Sequence, residues 1–191
     1  MLLRHVERVR SLRTRPATFT SEPFALSISA PQTWKVIPED FPTAEYETRN
    51  KNLLEVVTKH ENLPIVRIVK PVAGNRTINP AIQIFVVPDG GQTPKAFLAA
   101  TGADAAQAFE DFKIVHKASD TTLNGVKAAA IELTFTVAYP GRGRFPTLSR
   151  SWAIPRDKMM FVIAVTGQPD DLKALARDVD LILKSIHFKN E

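Results

Sequence analysis

The side chains best suited to metal or acid–base chemistry are scattered along this sequence. The four histidines, His5, His60, His116 and His187, lie far apart, and no H-E-x-x-H or H-x-H pair occurs. Cysteine is absent, which excludes disulfides, zinc–thiolate sites and a thiol nucleophile. We therefore expect no metal and no cofactor, although histidines distant in sequence can still meet once the chain folds.

Neighbouring carboxylates do not form a catalytic pattern either. They occur as three dipeptides, Glu39-Asp40, Glu110-Asp111 and Asp170-Asp171. The last pair suits the positive first turn of a helix, and the others suit solvated loops or helix ends. Acid–base catalysis needs carboxylates on opposite sides of a pocket, and no serine lies in a G-x-S-x-G elbow. These patterns favour a protein that is not an enzyme.

Two glycine-containing segments resemble nucleotide-binding loops only in part. The segment 89–95, with sequence DGGQTPK, lacks the spacing of a phosphate loop, and Pro94 removes an N–H that a phosphate would need. The segment 141–146, GRGRFP, lacks the third glycine of a dinucleotide fingerprint and leads into no predicted helix. Neither segment predicts a nucleotide site.

One cluster of residues has the composition of a binding surface. It surrounds a predicted hairpin loop and consists of Tyr139, Arg142, Arg144, Arg150 and Trp152. Arginine beside aromatic rings suits the recognition of anions or proteins, and Arg150 alternates onto the same strand face as Trp152. The alternative is a solvated loop whose arginines keep the domain soluble.

The positive charge of the chain is concentrated at its start. The net charge is +5, and residues 1–15 contain five arginines and one glutamate, which leaves 20 basic against 19 acidic side chains elsewhere. An almost neutral body predicts no nucleic-acid partner. We interpret residues 1–21 as a basic N-terminal arm, which is either a membrane-surface or transit-type segment, or else a short solvated helix or frayed arm.

The apolar pattern predicts no membrane span. The longest apolar run, 159–165, has the length of a strand, and no segment has the apolar core of a secretory signal. The sequence is compatible with two cellular compartments. The sequence as it stands predicts a cytoplasmic protein, and a signal preceding it would make the protein extracytoplasmic.

Alternating and continuous apolar runs predict several strands joined by short turns. The predicted strands include 24–29, 53–58, 65–70, 81–87, 131–137 and 159–166. Thr93-Pro94 predicts the start of a helix that Gly102 interrupts. A last helix begins at Pro169, with a buried stripe predicted at Leu172, Leu175, Ala176, Val179 and Leu183.

Three of these segments, taken in order, resemble the PsbP-like superfamily. They are a strand followed by Pro31 and Trp34, the turn sequence TLNGVKA at 122–128 before a long alternating strand, and an apolar strand before a helix that ends in ILKSIHF at 182–188. The resemblance covers residues 22–188 as a pattern of elements.

The resemblance implies both a fold and a class of function. The superfamily includes photosystem PsbP, Ran-binding Mog-type factors and LpqN-type lipoproteins, whose members look like an antiparallel sheet between helices and act mostly by binding other proteins. No residue set identifies one branch, so no site is transferred from the family.

The sequence therefore predicts an α+β fold, a mainly antiparallel β-sheet flanked by helices in an α/β/α sandwich, with residues 22–191 as a single domain. We expect a non-catalytic protein-binding or assembly module that is a monomer or a weak oligomer. The alternative is a small-ligand carrier or weak enzyme whose site converges only in three dimensions.

Overall fold

The computed structural model describes residues 16–38, 53–59, 63–72, 78–141 and 143–189. These residues form ten strands and four helices. The strands are β1 (Ala17–Ser21), β2 (Leu26–Ala30), β3 (Lys35–Pro38), β4 (Pro64–Val69), β5 (Ala81–Pro88), β6 (Glu110–Leu123), β7 (Val126–Tyr139), β8 (Gly143–Arg156), β9 (Met159–Gly167) and β10 (His187–Phe188). The helices are α1 (Leu53–Lys59), α2 (Pro94–Ala108), α3 (Pro169–Ala174) and α4 (Ala176–Lys184).

The strands form two sheets in which every pairing is antiparallel. The larger sheet has seven strands in the order β3-β4-β5-β9-β8-β7-β6, and the smaller has three in the order β1-β2-β10. Tight turns join β1 to β2, β6 to β7, β7 to β8 and β8 to β9, as antiparallel neighbours allow, whereas β3–β4, β5–β9 and β2–β10 pair across longer stretches of chain. The predicted α+β class with a mainly antiparallel sheet is confirmed.

The large sheet is covered on both faces, which makes three layers. The small sheet, α1, α3 and α4 contribute to the core on one face, which we call the α4 face; α2 packs on β6, β7 and β8 on the other, which we call the α2 face. Strand β9 lies at the centre and contributes Ile163 to the first core and Met160 to the second, both fully buried. Its apolar residues point both ways because the strand is covered on both sides.

The segment predicted as a strand at 53–58 is a helix, and this prediction was wrong. Val57 is fully buried and Leu54, three residues earlier, is half-buried, so the two share one side of α1. The apolar residues of LLEVV occur as adjacent pairs, which breaks the alternation that a half-buried strand requires.

Helix α2 begins as predicted but is not interrupted at Gly102. The Thr93 hydroxyl accepts a hydrogen bond from the Ala96 N–H at 3.2 Å and caps the helix. Gly102 lies inside the helix and is buried, and a Cβ there would be 3.0 Å from Ile131 Cδ1. The glycine thus permits a close approach of helix to sheet and does not break the helix.

Part of the predicted N-terminal arm belongs to the fold. Residues 17–21 form β1, where Thr18 and Ser29 share a hydroxyl hydrogen bond of 2.9 Å and Phe19 packs against the core. Cross-strand pairing with β2 orders this segment despite its polar composition. Residues 1–15 lie outside the described residues.

The β6–β7 turn is fixed to the end of the last helix. Asn124 and Gly125 have φ values of 51° and 82°, the left-handed conformation of a tight hairpin turn. The Asn124 amide also donates to the carbonyl oxygens of Leu183 at 2.7 Å and Ile186 at 2.9 Å. It therefore satisfies carbonyl groups at the C-terminus of α4, where helical partners run out.

Replacing Asn124 tests this attachment. We expect Asn124→Gly to keep the turn but lower the free energy of unfolding by about 1–3 kcal/mol, because the Ile186 carbonyl loses its side-chain donor and the Leu183 carbonyl keeps the Ile186 N–H, at 3.2 Å. Asn124→Asp is expected to be at least as destabilising, since it places a carboxylate against the same carbonyls. Urea unfolding measures both.

The matched control is Asp157→Gly, at the left-handed position of the β8–β9 turn (φ 52°). That exposed change is expected to stay within about 0.5 kcal/mol. An Asn124→Gly protein as stable as the unaltered chain would contradict the attachment.

Candidate functional site

A cleft lies between the helix pair α3–α4 and strand β8. Its volume is about 510 Å³. One wall comes from alternate residues of β8 on the α4 face, and the other comes from α4. The lining residues are Leu123, Asn124, Leu148, Arg150, Trp152, Val165, Pro169, Leu172, Lys173, Ala176, Val179, Asp180, Leu183 and Lys184.

The cleft exists because α4 is anchored on the small sheet beside β8. The Ser185 hydroxyl donates to the Ser29 carbonyl at 2.8 Å and accepts from its N–H at 2.9 Å, which ties the end of α4 to β2. Near the start of α4, Trp34 Nε1 donates to the Asp178 carboxylate at 3.0 Å. Ile182 lies between these two hydrogen-bonded positions of α4, and its side chain is fully buried in the core. The opposite flank of α4 is left facing β8.

The interior of the cleft is mainly apolar. Trp152, Leu148, Val179 and Leu183 are half-buried there, so part of each side chain still contacts solvent. The stripe predicted for the last helices is therefore only partly buried: Leu172 is buried, whereas Ala176 is exposed. An exposed small residue on one wall keeps the cleft open.

More basic than acidic side chains line the cleft. Three lining residues are basic, Arg150, Lys173 and Lys184, and one is acidic, Asp180. Lys184 pairs with Asp180 at 2.7 Å. Arg150 Nε donates to Glu132 Oε2 at 2.6 Å, from the cross-strand position on β7. The site can thus bury an apolar group while cations face the polar end of that group.

The lining offers binding surfaces and no recognisable reaction centre. Its only carboxylate is that of Asp180, and serine, threonine and histidine are absent from the residues that line it. Across the described ranges, no group of three or more His, Asp or Glu side chains is placed to hold a metal ion. Nor is any helix there both long enough and apolar enough to span a membrane.

The structure separates the cluster predicted from the sequence. Arg150 and Trp152 share the α4 face, as their alternation predicted, and both line the cleft. Arg142 lies outside the described residues. The binding role of the cluster as a whole stays a prediction.

Tyr139 faces the opposite side of the sheet. It is 43% exposed and packs edge-on against Phe145, with ring centroids 6.0 Å apart. Both rings line a second cavity, on the α2 face. Tyr139 therefore cannot act in the same pocket as Arg150 and Trp152.

Arg144 is part of an ion-pair network at the start of β6. Its guanidinium pairs with the Glu110 carboxylate and lies 3.3 Å from Asp111 Oδ2. Asp111 also accepts a 2.8 Å hydrogen bond from the Thr136 hydroxyl. The Thr136 hydrogen bond, with a further contribution from Arg144, lowers the pKa of Asp111 below its ordinary value, while burial opposes the shift.

The helical wall of the cleft was not predicted as a site. Ala176, Asp180 and Lys184 follow one another at intervals of four residues, so the sequence places them on one helical flank. Their spacing was a usable signal. The sequence could not show that this flank faces β8, because that depends on where α4 docks.

The comparisons with known proteins identify the fold. No protein-family model matches this sequence, and no curated protein sequence matches it. A protein of unknown function from Pseudomonas aeruginosa is similar in structure, with a TM-score of 0.53, 14% identity, and coverage of 93% of this chain and 100% of that one.

Two similar structures carry more informative names. LpqN, involved in cell envelope biogenesis of Mycobacterium tuberculosis, has a TM-score of 0.53 at 14% identity, with 94% of this chain and 88% of LpqN covered. Cyanobacterial PsbP from Synechocystis has a TM-score of 0.52 at 11% identity, with 91% and 92% covered. The chain has the PsbP-like fold, which confirms the resemblance at the level of fold.

Removing the charge of Asp111 tests the network around Arg144. The pKa of Asp111 is lower in the folded chain than in the unfolded chain, where an aspartate has a pKa of about 3.9. The charged carboxylate therefore stabilises the fold above that pH, and this stabilisation is lost as the pH falls through the pKa of the folded state. We expect Asp111→Asn, which tolerates the φ of +53°, to be less stable than the unaltered chain at pH 7. The difference should shrink below about pH 4.

Thermal unfolding between pH 7 and pH 3 measures this difference. Asp120→Asn, on the same strand, controls for the loss of one negative charge. A difference between Asp111→Asn and the unaltered chain that stays constant across this pH range would contradict the role of the carboxylate charge.

Proposed function

We propose that this chain, which has the PsbP-like fold, is a non-catalytic binding module whose cleft between α4 and β8 receives an apolar segment of a partner protein. The observation that carries the proposal is the cleft itself, with an apolar interior that α4 leaves open. Half-exposed apolar side chains gathered in a concave site are typical of recognition surfaces.

The apolar interior can supply much of the binding free energy. Trp152, Leu148 and Leu183 are half-buried, so an occupant removes their remaining exposed surface from water. Burying one large apolar side chain of the occupant contributes about 1.5–3 kcal/mol. Tryptophan is also among the residues that most often dominate interface energies. One or two large apolar side chains would therefore suffice to anchor a segment.

The charges around the cleft favour an occupant with acidic residues beside its apolar ones. Arg150, Lys173 and Lys184 outnumber Asp180 among the lining residues, and the pair of Arg150 with Glu132 offsets part of this positive charge. Such complementarity speeds association and sets orientation more than it adds affinity, and it weakens as salt is added. The proposal therefore includes a salt-dependent association rate.

The comparisons support the general class of function proposed here, which is binding or assembly. LpqN has the same fold and is involved in cell envelope biogenesis. Because identity is 14%, this supports the class of function proposed here and transfers neither partner nor process.

A small-ligand carrier is the second candidate function. A volume of about 510 Å³ lies within the range of small-molecule sites. An apolar molecule with one anionic group would meet the same apolar interior and the same cations.

Filling the cleft from the exposed wall tests both functions. Ala176 is exposed and lines the cleft, so Ala176→Trp is expected to occupy it with little effect on the thermal midpoint. Ala174→Trp is the matched control, because Ala174 is exposed and does not line the cleft. Affinity capture from the native lysate, followed by quantitative mass spectrometry, compares the two variants with the unaltered chain.

We expect the unaltered chain and Ala174→Trp to capture at least one protein in equal amounts. The amount captured by Ala176→Trp should be about ten-fold lower, which corresponds to a loss of about 1.4 kcal/mol of binding free energy. A small molecule on the native protein that only Ala176→Trp lacks would support the carrier. Identical captured proteins and identical native masses for the two variants would contradict a function of the cleft.

A further inference from the structure

The large sheet ends at strand β6, whose outer edge has no strand beside it among the described residues. This strand is 14 residues long, whereas β3, at the other edge of the sheet, has four. Strand β3 also contains Lys35 and Pro38, two residue types that protect an edge from further pairing. Strand β6 is therefore the edge of this sheet with more room for another strand.

The two parts of β6 differ in how well they are protected. Register shifts interrupt the pairing with β7 at three places between Glu110 and Ser119, and this part also contains Lys113 and Lys117. Bulges and lysines keep an edge from pairing with another chain. The five residues from Ser119 to Leu123 pair with β7 without interruption and include neither lysine nor proline. We call these residues, 119–123, the open edge.

The β6–β7 turn determines which backbone groups of the open edge point outwards. Leu123 lies opposite Val126 across a two-residue turn, so these two residues form a hydrogen-bonded pair. Because such pairs alternate with non-hydrogen-bonded pairs, Asp120 and Thr122 lie at non-hydrogen-bonded positions of the ladder with β7. Their N–H and C=O groups therefore point away from β7, and both residues are exposed.

A second copy of the open edge matches this pattern when a two-fold axis passes beside Thr121. Asp120 of each copy then lies opposite Thr122 of the other, so outward N–H groups of one strand meet outward carbonyl groups of its partner. Thr121 faces its own counterpart on the axis, and threonine pairs across strands are favourable. An axis at Asp120 would place two carboxylates opposite each other, so charge favours the axis at Thr121.

We propose that this chain forms a symmetric dimer through antiparallel pairing of the open edges of two copies, with the two-fold axis at Thr121. Such an interface is closed, because the same surface of each copy is used once. A few backbone hydrogen bonds with little apolar contact support a weak dimer that dissociates on dilution. The proposal does not depend on what the cleft binds.

Cysteine substitution provides the test, because the chain has no cysteine of its own. Thr121→Cys places two thiols opposite each other, with Cα atoms about 4.5 Å apart, within reach of a disulfide. Ser119→Cys is the matched control, since Ser119 is exposed on the same face of the same strand. Its two copies would lie roughly 13 Å apart along the paired strands, too far for a disulfide.

We expect Thr121→Cys to form a disulfide-linked dimer at least about ten-fold faster than Ser119→Cys under mild oxidation, as followed by intact mass. Adding Thr122→Pro removes an outward N–H and no hydrogen bond to β7, so it should abolish this difference. Equal rates of cross-linking for the two cysteine variants would overturn the proposal.

Sedimentation equilibrium tests the dimer without a cross-link. We expect the average mass of the unaltered chain to rise with concentration towards that of two chains. Thr122→Pro should stay monomeric, and so should Thr121→Lys, which places two like charges opposite each other on the axis and serves if the proline variant does not fold. An unaltered chain that stays monomeric into the millimolar range would overturn the proposal and leave the open edge to a strand of another protein.

Discussion

The docking of α4 on strand β2 decides where this molecule has a site. Ser185 forms two hydrogen bonds with the backbone of Ser29, and Trp34 reaches Asp178 near the start of the helix. These contacts hold α4 against the small sheet. One flank of the helix therefore faces β8 across open space, and the cleft follows from that placement.

The two faces of the large sheet differ in chemical character. Its α4 face is apolar along β4, β5 and β9, and their residues join the core with β2 and the helices. On its α2 face, α2 packs against an apolar core, and Arg67 and Gln83 lie in the part beyond the helix. Strand alternation thus allows one sheet to support two chemically different cavities, an apolar one with cations around it and a polar one with an aromatic wall.

Local patterns predicted the elements of the fold better than they predicted the site. The alternation of 131–137, the apolar run of β9 and the Thr93 cap all reflect contacts within one element or with its nearest neighbours. The cluster around the β7–β8 loop failed to converge because residues close in sequence can point to opposite faces of a hairpin, as Tyr139 and Arg150 do. The helical wall depends on tertiary docking, which no local pattern specifies.

We infer that the cleft is open in the free protein. Solvent paramagnetic relaxation of methyl groups, with a small water-soluble paramagnetic probe, measures this directly. We expect the methyl groups of Leu148, Val179 and Leu183 to relax distinctly faster than those of Ile163 and Ile182, which are fully buried. Equal protection of both sets would show that α4 closes onto β8, and would contradict the claim.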